Sequence, residues 1–178
     1  DPEQPLASPS TLCRLENRIA RRTLLQIAVV LVEQFIASFD QPPQCLILDF
    51  DATDSPIHGN QEGAFFHGYY DHHCFLPLYV FCGDQILVAY LRTADGDAAR
   101  HSRAVLKWLV DRLRQAWPDV RLIFRGDSGF CRWRLMRWCD HNGVGYVIGL
   151  ARNTRLQALA GPWMHAADEM DGARQKAD

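Results

Sequence analysis

The chain has 178 residues, 48% of them hydrophobic and 22% charged, the values of an ordinary globular domain long enough to bury a real core. Its formal net charge of −2 argues against a simple basic coat for nucleic acid, but leaves open an enzyme that works through local basic patches. The longest apolar stretch, Leu24 to Val32, is broken by Gln26 and is too short to span a bilayer.

No signal-peptide pattern precedes it, so a soluble intracellular protein without a membrane partner is expected. Cysteines at positions 13, 45, 74, 82, 131 and 139 form no Cys-x-x-Cys and mostly sit in apolar segments. They read as buried thiols of a reducing cytoplasm, not as a disulfide frame or a zinc ribbon.

Residues 1–10 are Pro- and Ser-rich and read as loose. Ser10 or Thr11 can cap a helix running to about Ser38, in which Leu24, Ile27, Ala28, Leu31 and Phe35 follow helical spacing. Arg14, Arg18, Arg21 and Arg22 give its first half a positive, solvated face, and Pro42-Pro43 ends the segment. Cys45 to Asp51 reads as a strand, and 55–63 as a polar, Gly-containing loop. Residues 64–70, 76–81 and 86–91 are aromatic and β-branched enough for three further strands, the last two joined by a Gly83-Asp84 turn.

Asp97 to Trp117 is predicted as a helix with Val105, Leu106, Leu109, Val110, Leu113 and Trp117 as its apolar stripe. Arg121 to Gly126 is a second acid-tipped strand. A basic, aromatic helix follows at 132–141, stopped by Asn142-Gly143. In that helix Trp133 and Trp138 read as core anchors and the arginines as phosphate contacts. Gly145 to Leu150 is a last strand, and the pattern fades from Gly161. The order predicts an α/β chain: a mixed sheet with helices on its faces, preceded by an N-terminal helix. The expected divisions are an N-terminal helical segment at 1–43, a core at 44–160 and a poorly ordered tail at 161–178.

The chemistry gathers at two strand ends. In Leu46-Ile47-Leu48-Asp49-Phe50-Asp51, side chains alternate, so Ile47, Asp49 and Asp51 share one face and Leu46, Leu48 and Phe50 the other. A carboxylate on a buried strand is costly unless a partner or metal compensates. In Arg125-Gly126-Asp127-Ser128-Gly129 the design recurs. Should the two strands be neighbours, Asp51 and Asp127 converge at one sheet edge. Two such carboxylates repel unless a divalent cation lies between them, which suits Mg²⁺ or Mn²⁺. The competing reading has Asp127 capping the next helix and Asp49 or Asp51 in a turn. The cluster His67, His72, His73 and Cys74 suggests zinc, but adjacent strand histidines point to opposite faces, so structural roles are preferred.

Asp49-x-Asp51-x-Thr53 resembles the opening motif of haloacid-dehalogenase-like phosphatases, which would make Asp49 a nucleophile in a wholly parallel sheet. Their second acid after Asp127 is absent, however, since Cys131 and Arg132 occupy its place. A fuller resemblance is to the DDE transposases of bacterial insertion sequences. It runs through Leu48-Asp49-Phe50-Asp51-Ala52-Thr53, His58-Gly59-Asn60-Gln61, Tyr69-Tyr70-Asp71-His72-His73-Cys74, Arg125-Gly126-Asp127-Ser128-Gly129-Phe130 and Tyr146-Val147-Ile148-Gly149-Leu150-Ala151-Arg152-Asn153.

The resemblance implies an RNase H-like fold whose first three strands pair antiparallel, next to the second acidic strand. It implies that Asp51 and Asp127 hold Mg²⁺ or Mn²⁺ for phosphodiester cleavage and strand transfer, with Asp49 and Thr53 in support. It implies Arg125, Arg132 and Arg152 on phosphate, DNA as partner, a possible homodimer in a synaptic complex, and a bacterial, nucleoid-associated location. The family's third acid, a downstream Glu, has no match except Glu169, which lacks the expected setting. A truncated transposase, inactive alone, is therefore expected, with a non-catalytic DNA-binding remnant as the alternative.

Overall fold

The computed structural model describes residues 7–16, 18, 20–151 and 153–163. Two helices, α1 (Pro9–Glu16) and α2 (Arg21–Ala37), stand where one was expected. The break falls at Ala20, whose backbone is extended (ψ 156°) and whose carbonyl starts the second helix. The first helix is capped by Ser8, whose hydroxyl accepts from the Thr11 N–H, not by Ser10 or Thr11. The stripe on α2 also shifts. Leu24 and Ile27 are exposed, whereas Val32 and Phe35 are buried. Only the second half of α2 reaches the core.

The strands are β1 (Cys45–Ala52), β2 (Ser55–Pro56), β3 (Phe65–His67), β4 (His72–Phe75), β5 (Leu78–Cys82), β6 (Gln85–Tyr90), β7 (Arg121–Gly126) and β8 (Gly145–Ile148). The main sheet has the order β6-β5-β1-β7-β8. β6, β5 and β1 pair antiparallel, while β1, β7 and β8 are parallel. This is the expected RNase H-like arrangement, and the antiparallel half contradicts the parallel sheet required by the phosphatase reading. Residues 64–70 do not join this sheet. Only Phe65–His67 is extended, and it pairs with β4 in a small separate sheet, β2-β4-β3.

Alternation along β1 sorts its side chains as the sequence requires. Leu46, Leu48 and Phe50 are buried, and the face of Ile47, Asp49 and Asp51 is not. One continuous core joins that buried face to α2, α3 (Ser102–Ala116) and α4 (Trp133–His141) through Val32, Phe35, Leu106, Leu109, Leu113 and Leu135. Phe35, Phe39 and Trp117 meet edge to face with centroids 5.0–6.3 Å apart, fastening α2 to the end of α3.

Helix α3 starts later than Asp97 because Arg92 takes the preceding carbonyls. The buried Arg92 guanidinium donates to the carbonyls of Leu76, Ala98 and Arg100 at 2.9, 2.9 and 2.5 Å, which holds 97–100 in turns. A helix at 154–163 was not anticipated; the Asn153 side chain accepts from the Leu156 N–H at 2.9 Å and caps it. The expected tail at 161–178 lies mostly outside the described residues.

On the outer side of α2, Glu33 and Arg112 of α3 form a bidentate pair that holds the Glu33 carboxyl below its usual range. The lowered folded pKa means the pair's stabilisation is complete above the ordinary Glu value of about 4.3 and is lost as pH falls through the folded value. The pair is partly solvated, so Glu33→Gln is expected to cost no more than about 1 kcal/mol at pH 7. Urea unfolding at pH 7 and pH 3 checks this: the difference from the parent chain should shrink at the lower pH.

Candidate functional site

Parallel pairing of β1 with β7 places Phe50 opposite Gly126. The next residue after each is an acid, so Asp51, on β1, and Asp127, just past the end of β7, come to the same end of the sheet. Beneath them Phe50, Phe124 and Phe130 form an edge-to-face trio with centroids 4.8–6.2 Å apart. Each acid is thereby tied within a few residues to a buried ring. Both carboxylates are exposed, and among the described residues no cation pairs with either.

The loop carrying Asp127 is folded tightly. One Asp127 oxygen accepts the Gly129 N–H at 2.8 Å and caps the short 3-10 turn Ser128–Phe130. The capping role weighed against a metal role is therefore present, and it uses one carboxylate oxygen. Gly149 lies so close behind that a Cβ there would stand 2.9 Å from the Ser128 nitrogen and 3.2 Å from the Asp127 carbonyl carbon. The Gly149 N–H also donates to the Gly126 carbonyl at 3.0 Å. The segment after β8 thus forms the back wall of Asp127.

Asp49 lies across from Arg125 in the register, and the Arg125 guanidinium grips both its carboxylate oxygens. Arg132 donates to Asp97 at 2.6 and 3.0 Å, tying the loop after the 3-10 turn to the loop before α3. Arg125 and Arg132 therefore have internal carboxylate partners. Thr53 is exposed just past β1. Arg152 and Glu169 lie outside the described residues.

Near the acids, Tyr70 and Asp54 were given no role by sequence, and His72 was weighed only as a zinc ligand. The Tyr70 hydroxyl reaches the Ala52 carbonyl at 3.5 Å, and burial, followed by Asp54, Tyr69, Asp51 and Asp127, pushes its phenol pKa up. His72 bonds Asp54 at 2.7 Å, and the Tyr70 ring lies 6.1 Å from His72. The signal available was Asp54 itself, three residues after Asp51 in an acidic run. The zinc cluster does not form. His73 faces Phe66, Cys74 is buried, and no group of three or more His, Cys, Asp or Glu suited to a metal occurs among the described residues.

Two carboxylates at the ends of adjacent parallel strands, one pre-oriented by a backbone N–H, define a compact acidic edge. The chain belongs to the transposase DDE domain group 1 family, whose sequence model matches residues 1–177. No curated protein matches it.

Among solved structures it is similar to a piggyBac transposase synaptic complex with hairpin DNA, at 13% identity and a TM-score of 0.46, covering 84% of this chain and 32% of that one. It is similar to the catalytic domain of Mos1 mariner transposase at 13% identity and a TM-score of 0.41, covering 88% and 73% of the two chains. It is also similar to a Drosophila P element transposase strand transfer complex, at 11% identity and a TM-score of 0.33, covering 78% and 34%. The chain thus spans about a third of the piggyBac and P element chains. No helix among the described residues is long and apolar enough to cross a membrane.

The close fit behind Asp127 gives a test of local packing. Gly149→Ala forces a methyl against backbone atoms and is expected to destabilise by about 1–3 kcal/mol. Gly68→Ala, where a Cβ would meet nothing within 4 Å, should change stability by less than about 0.5 kcal/mol. Thermal melts of the two variants decide the point.

Proposed function

We propose that this chain supplies the first two acids of a metal-dependent, phosphodiester-transferring site in a DNA transposase. The observation that supports it is the register of β1 against β7, which brings Asp51 and Asp127 to one edge. The donor set fits the cation that the family implies: two hard, solvent-reached carboxylates without a competing cation among the described residues suit Mg²⁺ or Mn²⁺. Asp51 and Asp127 would hold it. Such a cation activates the attacking oxygen and stabilises the leaving oxygen of an in-line displacement.

The other residues keep these two acids available. The Gly129 N–H fixes one Asp127 oxygen and leaves the other for a ligand. Asp49 engages the Arg125 guanidinium on the same sheet face, two residues from Asp51, and keeps that charge from occupying the Asp51 carboxylate. Asp49 therefore supports Asp51 by sequestering a cation, and Thr53 lies just beyond it. DNA is the partner, residues 44–160 are the core, and 1–43 are a helical segment preceding it. A dimer in a synaptic complex and a bacterial insertion-sequence origin complete the reading.

Mn²⁺ binding, followed by the loss of the free-ion electron paramagnetic resonance signal, tests the site. Asp51→Ala and Asp127→Ala are each expected to weaken binding by about tenfold or more, equivalent to ~1.4 kcal/mol. Parent-like binding in both variants would remove the basis for the reading. Asp49→Ala is expected to weaken Mn²⁺ binding severalfold by freeing Arg125, and the Asp49→Ala/Arg125→Ala double variant to recover it. A purely structural Asp49 gives no such recovery in the same titration.

A further inference from the structure

A second feature lies beyond the acidic edge. Helix α4 and the start of α3 enclose a shallow groove of about 640 Å³, lined by Arg103, Trp133, Arg134, Arg137, Trp138 and His141. Arg134, Arg137 and His141 recur at helical spacing and so line one face of α4. Over that span the helix rises about 10 Å. Arg103 adds a fourth basic side chain from the first turn of α3. Among the described residues, no carboxylate pairs with Arg103, Arg134 or Arg137.

The acid on α4 is kept out of the groove. Asp140 lies instead near Tyr146 of β8, whose phenol pKa its charge raises. Trp133 is 66% exposed, which corrects its expected role as a core anchor, and the Arg137 guanidinium carbon lies 6.0 Å from the centre of its ring. An exposed indole carrying an arginine, flanked by two more arginines, is a poor solution for stability alone. It suits a polyanion, because Arg donates two parallel hydrogen bonds to phosphate oxygens.

We propose that this α3–α4 groove binds the sugar-phosphate backbone of duplex DNA leading away from the acidic edge. The placement favours DNA over an acidic polypeptide. Helix α4 begins six residues after Asp127, and the Arg132–Asp97 pair locks that junction to the loop before α3. One strand can therefore pass from the carboxylates onto the arginine row. The proposal rests on the transposase reading and deepens it. It drops Arg125 and Arg132, which have internal partners, as phosphate contacts, keeps Arg134 and Arg137 from the helix read that way in the sequence, and adds Arg103.

The experiment measures association of the whole chain with a random-sequence DNA duplex by fluorescence anisotropy across a salt series. Each phosphate contact contributes about 0.9 to the slope of log K against log salt. Arg103→Ala, Arg134→Ala and Arg137→Ala should each lower that slope by about 0.9, and the triple variant by about 2.7. All three side chains are exposed, and the Arg→Lys variants, which keep the charge, should retain the slope. Arg121→Ala removes the same charge at the opposite end of β7 and should leave the slope unchanged.

Unchanged slopes in the groove variants, with binding intact, would overturn this site while leaving the Mn²⁺ result and the transposase reading untouched. No salt-dependent binding by the parent chain would overturn both the groove and DNA as the partner. Displacement of bound duplex by polyglutamate at equal charge concentration, with the slope unaltered by the arginine variants, would assign the groove to an acidic polypeptide and overturn the proposal.

Discussion

The structure depends on the parallel pairing of β1 with β7. Every hydrogen-bonded pair from Cys45↔Arg121 to Phe50↔Gly126 is in step, and a slip of one residue would send the acids to the core and the phenylalanines to water. The Phe50, Phe124 and Phe130 rings make that slip costly, since Phe124 and Phe130 are fully buried and Phe50 nearly so. Burying an aromatic ring contributes a few kcal/mol, more than any exposed ion pair in the molecule. Positional accuracy at the acidic edge is therefore bought from hydrophobic packing one residue below it, and the carboxylates need no cation of the chain to hold them in place.

That arrangement explains why charge on the acid-bearing sheet face is so unevenly paired. Asp49 has a guanidinium and Asp51 does not, although both project from the same face two residues apart. A site that takes a divalent cation needs carboxylates whose charge is not already neutralised. A neighbouring arginine needs somewhere to go, and Asp49 lies directly across the ladder from it. The pair is half-exposed and adds little to stability.

Much of this was legible in the sequence, and the reasons are local. The strict alternation of Leu46, Leu48 and Phe50 with Ile47, Asp49 and Asp51 has only one strand solution with an apolar core behind it. The stripe of Leu106, Leu109, Val110 and Leu113 likewise fixed the buried face of α3. What escaped depended on particular side-chain and strand pairings that neither periodicity nor propensity encodes. The late start of α3 comes from Arg92, a charged residue that periodicity places on no face. The demotion of residues 64–70 to a three-residue strand depends on pairing with β4, which propensity does not reveal. The exposure of Trp133 was missed because an indole on a short helix reads as core, and only the arginine above its ring shows otherwise.

The net charge of −2 hides a division that only the fold exposes. Near the candidate site, acids and arginines cancel in specific couples: Asp49 with Arg125, and Asp97 with Arg132. What remains after cancellation is two carboxylates at the ends of β1 and β7, and three arginines along the adjacent α3–α4 groove. Screening limits exposed charges to about a Debye length, roughly 8–10 Å at physiological salt, so a ligand at either place responds to the local residue and not to the total. On the function proposed above, an acidic edge that repels phosphate without a cation, beside a groove that attracts it, would make divalent metal and DNA cooperative ligands, the metal removing the repulsion that the first few phosphates would meet. The overall acidity of the chain is thus no argument against a nucleic-acid partner, because a ligand meets the local charges and not the total.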